Sequence, residues 1–217
     1  MSSVIGFHVI GCTYGFWLPN DERGSGSDYV RAEHLRKFGP ATLVTHSRSV
    51  AKKPFDPQIR RLARESLMFP YVEFNSAQIA AVIRGMTQEI EQYRAATIHA
   101  FAQCRNHFHF VCGPCRYDIR RFEGRLKGAA TKQLLEEGLH PLQKYTTEDG
   151  RVPSPWSVKP WVVYLFDDQD MTRSINYTND NLRRSRHPHP QCSFIVPYAS
   201  RDRRPDIRSA TFDARRR

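Results

Sequence analysis

The run Asn106-His107-Phe108-His109-Phe110-Val111 places two imidazoles at alternate positions among bulky apolar residues. That period of two predicts a half-buried β-strand, whose residues i and i+2 share a face at a spacing of roughly 7 Å. His107 and His109 then project side by side, while Phe108, Phe110 and Cys112 enter a core. Two neutral imidazoles on rigid backbone form a partial ligand set for a divalent metal. Farther along, Tyr177 and Asn181 stand four residues apart in a segment of helical spacing and so share a face, with Arg173 and Arg184 flanking them. An activated tyrosine is a known covalent nucleophile. A metal on phosphate oxygens makes phosphorus more electrophilic and stabilises an in-line transition state.

Elements of fitting length and order can position these groups. Residues 4–13 read as a buried strand and residues 76–93 as an amphipathic helix, with Ser76 as its N-cap. Residues 97–103 make a second strand, and a short break at Cys104, Arg105 and Asn106 turns it into the His-bearing strand as an antiparallel hairpin. Asp118 caps the next helix, whose apolar positions are Ile119, Phe122, Leu126, Ala130 and Leu134 and which Gly138 ends. Its other face carries Arg120, Arg121, Arg125, Lys127 and Lys132, a candidate DNA-binding surface together with Arg173, Arg183 and Arg184. Residues 139–155 read as a polar loop, 159–166 as a strand, and Asp167 or Asp168 opens a last helix reaching about Arg184. Tyr164 is expected in the core of its strand.

The predicted class is α+β: a ferredoxin-like antiparallel sheet of split βαβ type, with an appended tyrosine-bearing helix. One domain spans residues 1–199, with residues 14–75 as an N-terminal insertion holding a short helix near 57–68. A basic, mobile tail occupies 200–217.

The chain has 217 residues, 40% of them apolar, with thirteen Phe and nine Tyr, enough for one substantial core. Its formal charge is +11 and its isoelectric point about 9.7, which favours a polyanionic partner. No stretch approaches a membrane span, so nucleic acid is preferred to a membrane. Five Cys and no secretory leader suggest a reduced, cytoplasmic setting. Trp17, Trp156 and Trp161 are candidate stacking platforms for bases.

The segment from Cys104 to Pro114 resembles the His-hydrophobic-His strand of the HUH single-strand endonucleases, most nearly the single-tyrosine insertion-sequence and REP-associated tyrosine transposases. The likeness continues around Arg125-Leu126-Lys127-Gly128 and returns at Ile175-Asn-Tyr-Thr-Asn-Asp-Asn181. It implies that Tyr177 attacks single-stranded DNA next to a hairpin and forms a 5′-phosphotyrosine link. It further implies that His107, His109 and Asn181 hold Mg²⁺ or Mn²⁺. The family commonly reads Asn-Pro after the tyrosine; here Leu182 follows Asn181, so the helix is expected to run a turn further. The oligomeric state stays open, a homodimer included.

Other readings compete. His8 on the first strand could share the face of His107, but packing is the simpler role. Cys104-x-x-His107 with Cys112-x-x-Cys115 has the spacing of a structural zinc site, although alternation puts Cys112 opposite His107. A nucleotide hydrolase of His-x-His-x-His type fails at Val111. A hairpin-DNA-binding protein without cleavage needs the charge but neither Tyr177 nor the histidines.

Overall fold

A computed structural model of the chain describes residues 3–19, 32–38, 56–185 and 192–200. Parts of the expected 14–75 insertion (residues 20–31 and 39–55) and the tail beyond Ser200 lie outside them. The structure is α+β, with β1 (Gly6–Cys12), α1 (Pro57–Glu65), α2 (Ser76–Tyr93), β2 (Ile98–Gln103), β3 (His107–Cys112), α3 (Ile119–Glu136), β4 (Trp161–Leu165) and α4 (Asp168–Arg184). Short 3-10 turns occupy Glu33–Phe38 and Gln143–Tyr145. The four strands form one sheet in the order β2-β3-β1-β4, each neighbouring pair antiparallel.

Alternation divides the sheet into two faces. Phe108, Phe110 and Cys112 of β3, with Val9 of β1, pack against Ile83 and Met86 of α2 and against Phe122 and Leu126 of α3. The two helices approach so closely that a Cβ on Gly85 would lie 2.6 Å from the Ala129 carbonyl oxygen. The opposite face carries Val111, which with Ile5, Ala100 and Leu165 buries Met171 of α4. A Cβ on Gly6 would meet the Met171 sulfur at 2.5 Å, so this glycine lets α4 settle on the sheet. Helix α4 therefore lies across the sheet from α2 and α3.

Local chemistry sets the helix ends. The N-cap of α2 is Asn75, one residue before the expected Ser76. Asn75 Oδ1 accepts from the Gln78 amide at 2.9 Å and Gln78 Oε1 from the Asn75 amide at 3.0 Å, and this reciprocal pair satisfies two orphan donors that a serine one step later would miss. Asp118 caps α3 as expected, accepting from the amides of Arg120 and Arg121. Gly138, at φ +66°, ends it by letting Leu139 N–H reach the Leu134 carbonyl at 2.8 Å. Asp167 caps α4 through the Asp170 amide at 2.7 Å. The helix continues past Leu182 to Arg184, as the missing proline allows.

The described ends of the 14–75 segment are less peripheral than an insertion suggests. Phe16, Leu18, Val72 and Phe74 are buried. Thr13 Oγ1 donates to the Val72 carbonyl, and Phe74 N–H to that of Arg105, both beside the β2–β3 turn. The loop after α3 is likewise anchored, by fully buried Leu142. Tyr164 lies on the core face against Phe7, ring centroids 5.5 Å apart, yet is 46% exposed because β4 is a sheet edge. Among the described residues no helix is long and apolar enough to cross a membrane.

Candidate active site

Strand register builds the site. Ile10 pairs with His109 and Cys12 with His107, so His8, His107 and His109 all point to the face that α4 covers in part. The His107 and His109 ring centroids are 4.9 Å apart with their planes nearly perpendicular. Tyr177 reaches down from α4 to rest edge-on against His109 at 5.6 Å and against His8 at 5.8 Å. Tyr177 is 51% exposed, so its side chain is open to solvent. Three elements distant in sequence thus place the Tyr177 ring on an imidazole cluster.

Each predicted ligand histidine is held through Nδ1. His107 Nδ1 lies 2.8 Å from Asn106 Oδ1. That amide is oriented by its nitrogen, which donates to Tyr71 Oη at 2.8 Å and to Glu73 Oε1 at 3.3 Å. Because an amide oxygen only accepts, His107 must carry its proton on Nδ1, and a neutral ring then keeps its lone pair on Nε2. His109 Nδ1 lies 3.1 Å from His8 Nε2, and His109 Nε2 is a buried atom with no hydrogen-bond partner. An orphaned buried nitrogen costs about 1–3 kcal/mol, and a metal ion would satisfy it. The residues fit a divalent cation on that ground, with Nε2 of His107 and of His109 as the nitrogens that would hold it.

Asn181 is the less direct member. Its Nδ2 donates to the Tyr177 carbonyl one turn earlier at 2.9 Å, which leaves the amide oxygen as the atom able to ligate. Among the described residues no three His, Cys, Asp or Glu side chains converge as a metal group, so two imidazoles need amide, water or phosphate oxygens to complete a coordination sphere.

The cations divide. Arg173, one turn before Tyr177, and Arg183 are exposed and pair with Asp170 at 3.6 Å and Asp180 at 3.2 Å. Arg184 is exposed at the end of the same helix. Arg120, Arg121, Arg125 and Lys132 belong to α3, across the sheet from Tyr177. Arg121 leans over Tyr117, while Arg125 pairs with Glu89 and stacks 4.0 Å from the Tyr93 centroid. Lys127 corrects the expected basic face: it is 7% exposed, 2.5 Å from buried Glu123, and donates to the Ser157 carbonyl. Helical spacing alone could not reveal this, because Glu123 at i–4 draws the ammonium inward beneath β1. Trp156 is a second correction, since it is 5% exposed with its indole N–H on Thr131, whereas Trp17 and Trp161 are 42% and 46% exposed.

The zinc spacing does not assemble, because Cys112 is on the core face opposite His107. Burial pushes the Cys104 thiol up to about 11 and raises that of Cys112 as well. Sequence reasoning placed His8 on the face of His107 but gave it only a packing role, and it passed over Asn106, Tyr71 and Glu73. Only the adjacency of Asn106 to His107 and the i, i+2 spacing of Tyr71 and Glu73 hinted at them.

Burial also lowers the His8 imidazole from 6.5 to about 4 and that of His109 to about 2, the latter helped by neighbouring His107 and His8. The unfolded chain takes up these protons near pH 6.5 and the folded chain refuses them. Stability is therefore unaffected by the pair above about pH 7 and falls as pH drops from about 6.5 toward 4. Thermal midpoints measured from pH 8 to pH 4.5 should be flat at first and then decline, less steeply in His8→Gln. Equal slopes in the two proteins would contradict this assignment. Comparison with known protein families and with curated proteins finds no match, so residues and geometry carry the functional reading.

Proposed function

We propose that the protein is a metal-dependent single-stranded DNA endonuclease and strand transferase of the single-tyrosine HUH type. The observation that carries the reading is the half-exposed Tyr177 ring seated on His109 beside His107. The strand order, read as β4-β1-β3-β2 with α2 and α3 as the two crossovers, supports the ferredoxin-like, split βαβ description.

Tyr177 attacks the scissile phosphorus. Its oxygen gives up the phenolic proton and forms the new P–O bond, the bond to the 3′ oxygen breaks, and that oxygen takes up one proton, by way of solvent, to leave as a free 3′-OH. The 5′-phosphotyrosine link keeps the energy of the phosphodiester, so a 3′-OH can reverse the step without ATP. When bound, Mg²⁺ or Mn²⁺ would polarise the phosphate oxygens and offset their developing charge. His107 and His109 would hold it, with Asn181 as a further oxygen donor. Arg173, Arg183 and Arg184 lie on the tyrosine's own helix and would track the adjoining phosphates. The α3 cations would meet DNA only away from the cleaved bond.

An in-line attack needs a phosphate that can turn toward both groups, which is easier in a flexible single strand than in a stacked duplex. Trp17 and Trp161 are exposed, and stacking a base on either would contribute about 1–3 kcal/mol. Incubation with Mn²⁺ should therefore cut single-stranded DNA beside a folded hairpin and leave duplex of the same sequence intact. Binding should weaken steeply with salt. Equal rates on the two substrates would identify a different kind of nuclease.

A further inference from the structure

We propose that His8 is a positioning residue, accepting the Nδ1 proton of His109 and so leaving the His109 Nε2 lone pair for a divalent cation. This rests on the metal reading above. His8 Nε2 and His109 Nδ1 are 3.1 Å apart, in a contact buried from solvent. The two residues are diagonal neighbours across β1 and β3, since His8 pairs with Val111 and His109 with Ile10.

Between two neutral ring nitrogens there is room for one proton, and its owner decides what the far side of His109 can do. If His8 donates, His109 carries its proton on Nε2, where it is a buried N–H without a partner and cannot ligate. If His109 donates, Nε2 presents a lone pair. Histidines that bind metals regularly donate their other N–H to an acceptor that fixes ring orientation and raises basicity. His107 has such an acceptor in Asn106 Oδ1, and His8 gives His109 the same service from another strand. The Tyr177 ring, 5.8 Å from that of His8, helps hold the acceptor in place.

The test uses the full chain, metal-free and ¹⁵N-labelled, with His8→Phe and His8→Gln. Phe fills the space without an acceptor, whereas the Gln carboxamide oxygen can still accept. Long-range ¹H–¹⁵N correlation reads the His109 tautomer, and electron paramagnetic resonance of Mn²⁺ alone reads affinity. In wild type and in His8→Gln the proton should lie on Nδ1. His8→Phe should bind Mn²⁺ about 10–100-fold more weakly, while His8→Gln recovers most of the loss. A wild-type His109 protonated on Nε2 would overturn the proposal, as would wild-type Mn²⁺ affinity in a folded His8→Phe. Should His8→Phe fail to fold, the wild-type tautomer and the His8→Gln affinity still decide. Neither readout involves DNA, so absence of attack by Tyr177 would count against the nuclease reading and leave this result standing.

Discussion

Tyr177→Phe should reduce the denaturation-resistant protein–DNA adduct to background, a loss of about 10³-fold or more, the scale on which removal of a covalent nucleophile acts. The substitution deletes one oxygen from a residue that is 51% exposed and keeps the six-membered ring that meets His8 and His109. Fold and DNA affinity should therefore be unchanged, as circular dichroism and a mobility-shift titration would report. An adduct of undiminished yield would remove Tyr177 from the reaction.

His107→Ala should be nearly as severe for cleavage and far milder for binding. Removing one group that stabilises transition-state charge typically lowers the rate about 100-fold or more, and Mn²⁺ affinity should fall with it. Phosphate contacts dominate affinity for DNA, and the substitution leaves Arg173, Arg183 and Arg184 on α4 in place, so hairpin binding should persist. His107 is the better residue for this test because it is only half-buried. His109 is 2% exposed, and its removal would also strand the buried His8 nitrogen at an expected cost of about 1–3 kcal/mol. If thiol alkylation instead releases stoichiometric zinc, the histidines belong to a structural site.

What the sequence made legible was local. Strict alternation through residues 107–112 predicted which β3 side chains face the core, and the structure agrees at every position. Asp118, Gly138 and Asp167 announced helix ends because a cap is a property of a few adjacent residues. The partial failures are tertiary. His8 meets His109 across 101 positions, and no pattern within one strand specifies which neighbour a histidine will find. Lys127 followed the helical spacing of a solvent face, but the buried Glu123–Lys127 pair answers to the floor of β1, which periodicity cannot register. Trp156 was indistinguishable by type from Trp161, although one is buried over Phe74 and Phe108 and the other stands on an open edge strand. Val72 and Phe74 lay in a basic, proline-broken stretch whose composition concealed two core residues.

The pairing of Tyr177 with DNA is tested most directly by mass spectrometry of the covalent product. Trypsin cutting after Arg173 and Arg183 releases residues 174–183, which contain one tyrosine together with Ser174 and Thr178 as alternative hydroxyls. After reaction with hairpin-flanked single-stranded DNA and nuclease trimming, this peptide should carry a nucleotide, and fragmentation should place its 5′-phosphate on Tyr177. A nucleotide on any other residue, or cleaved DNA with no protein attached, would contradict the account.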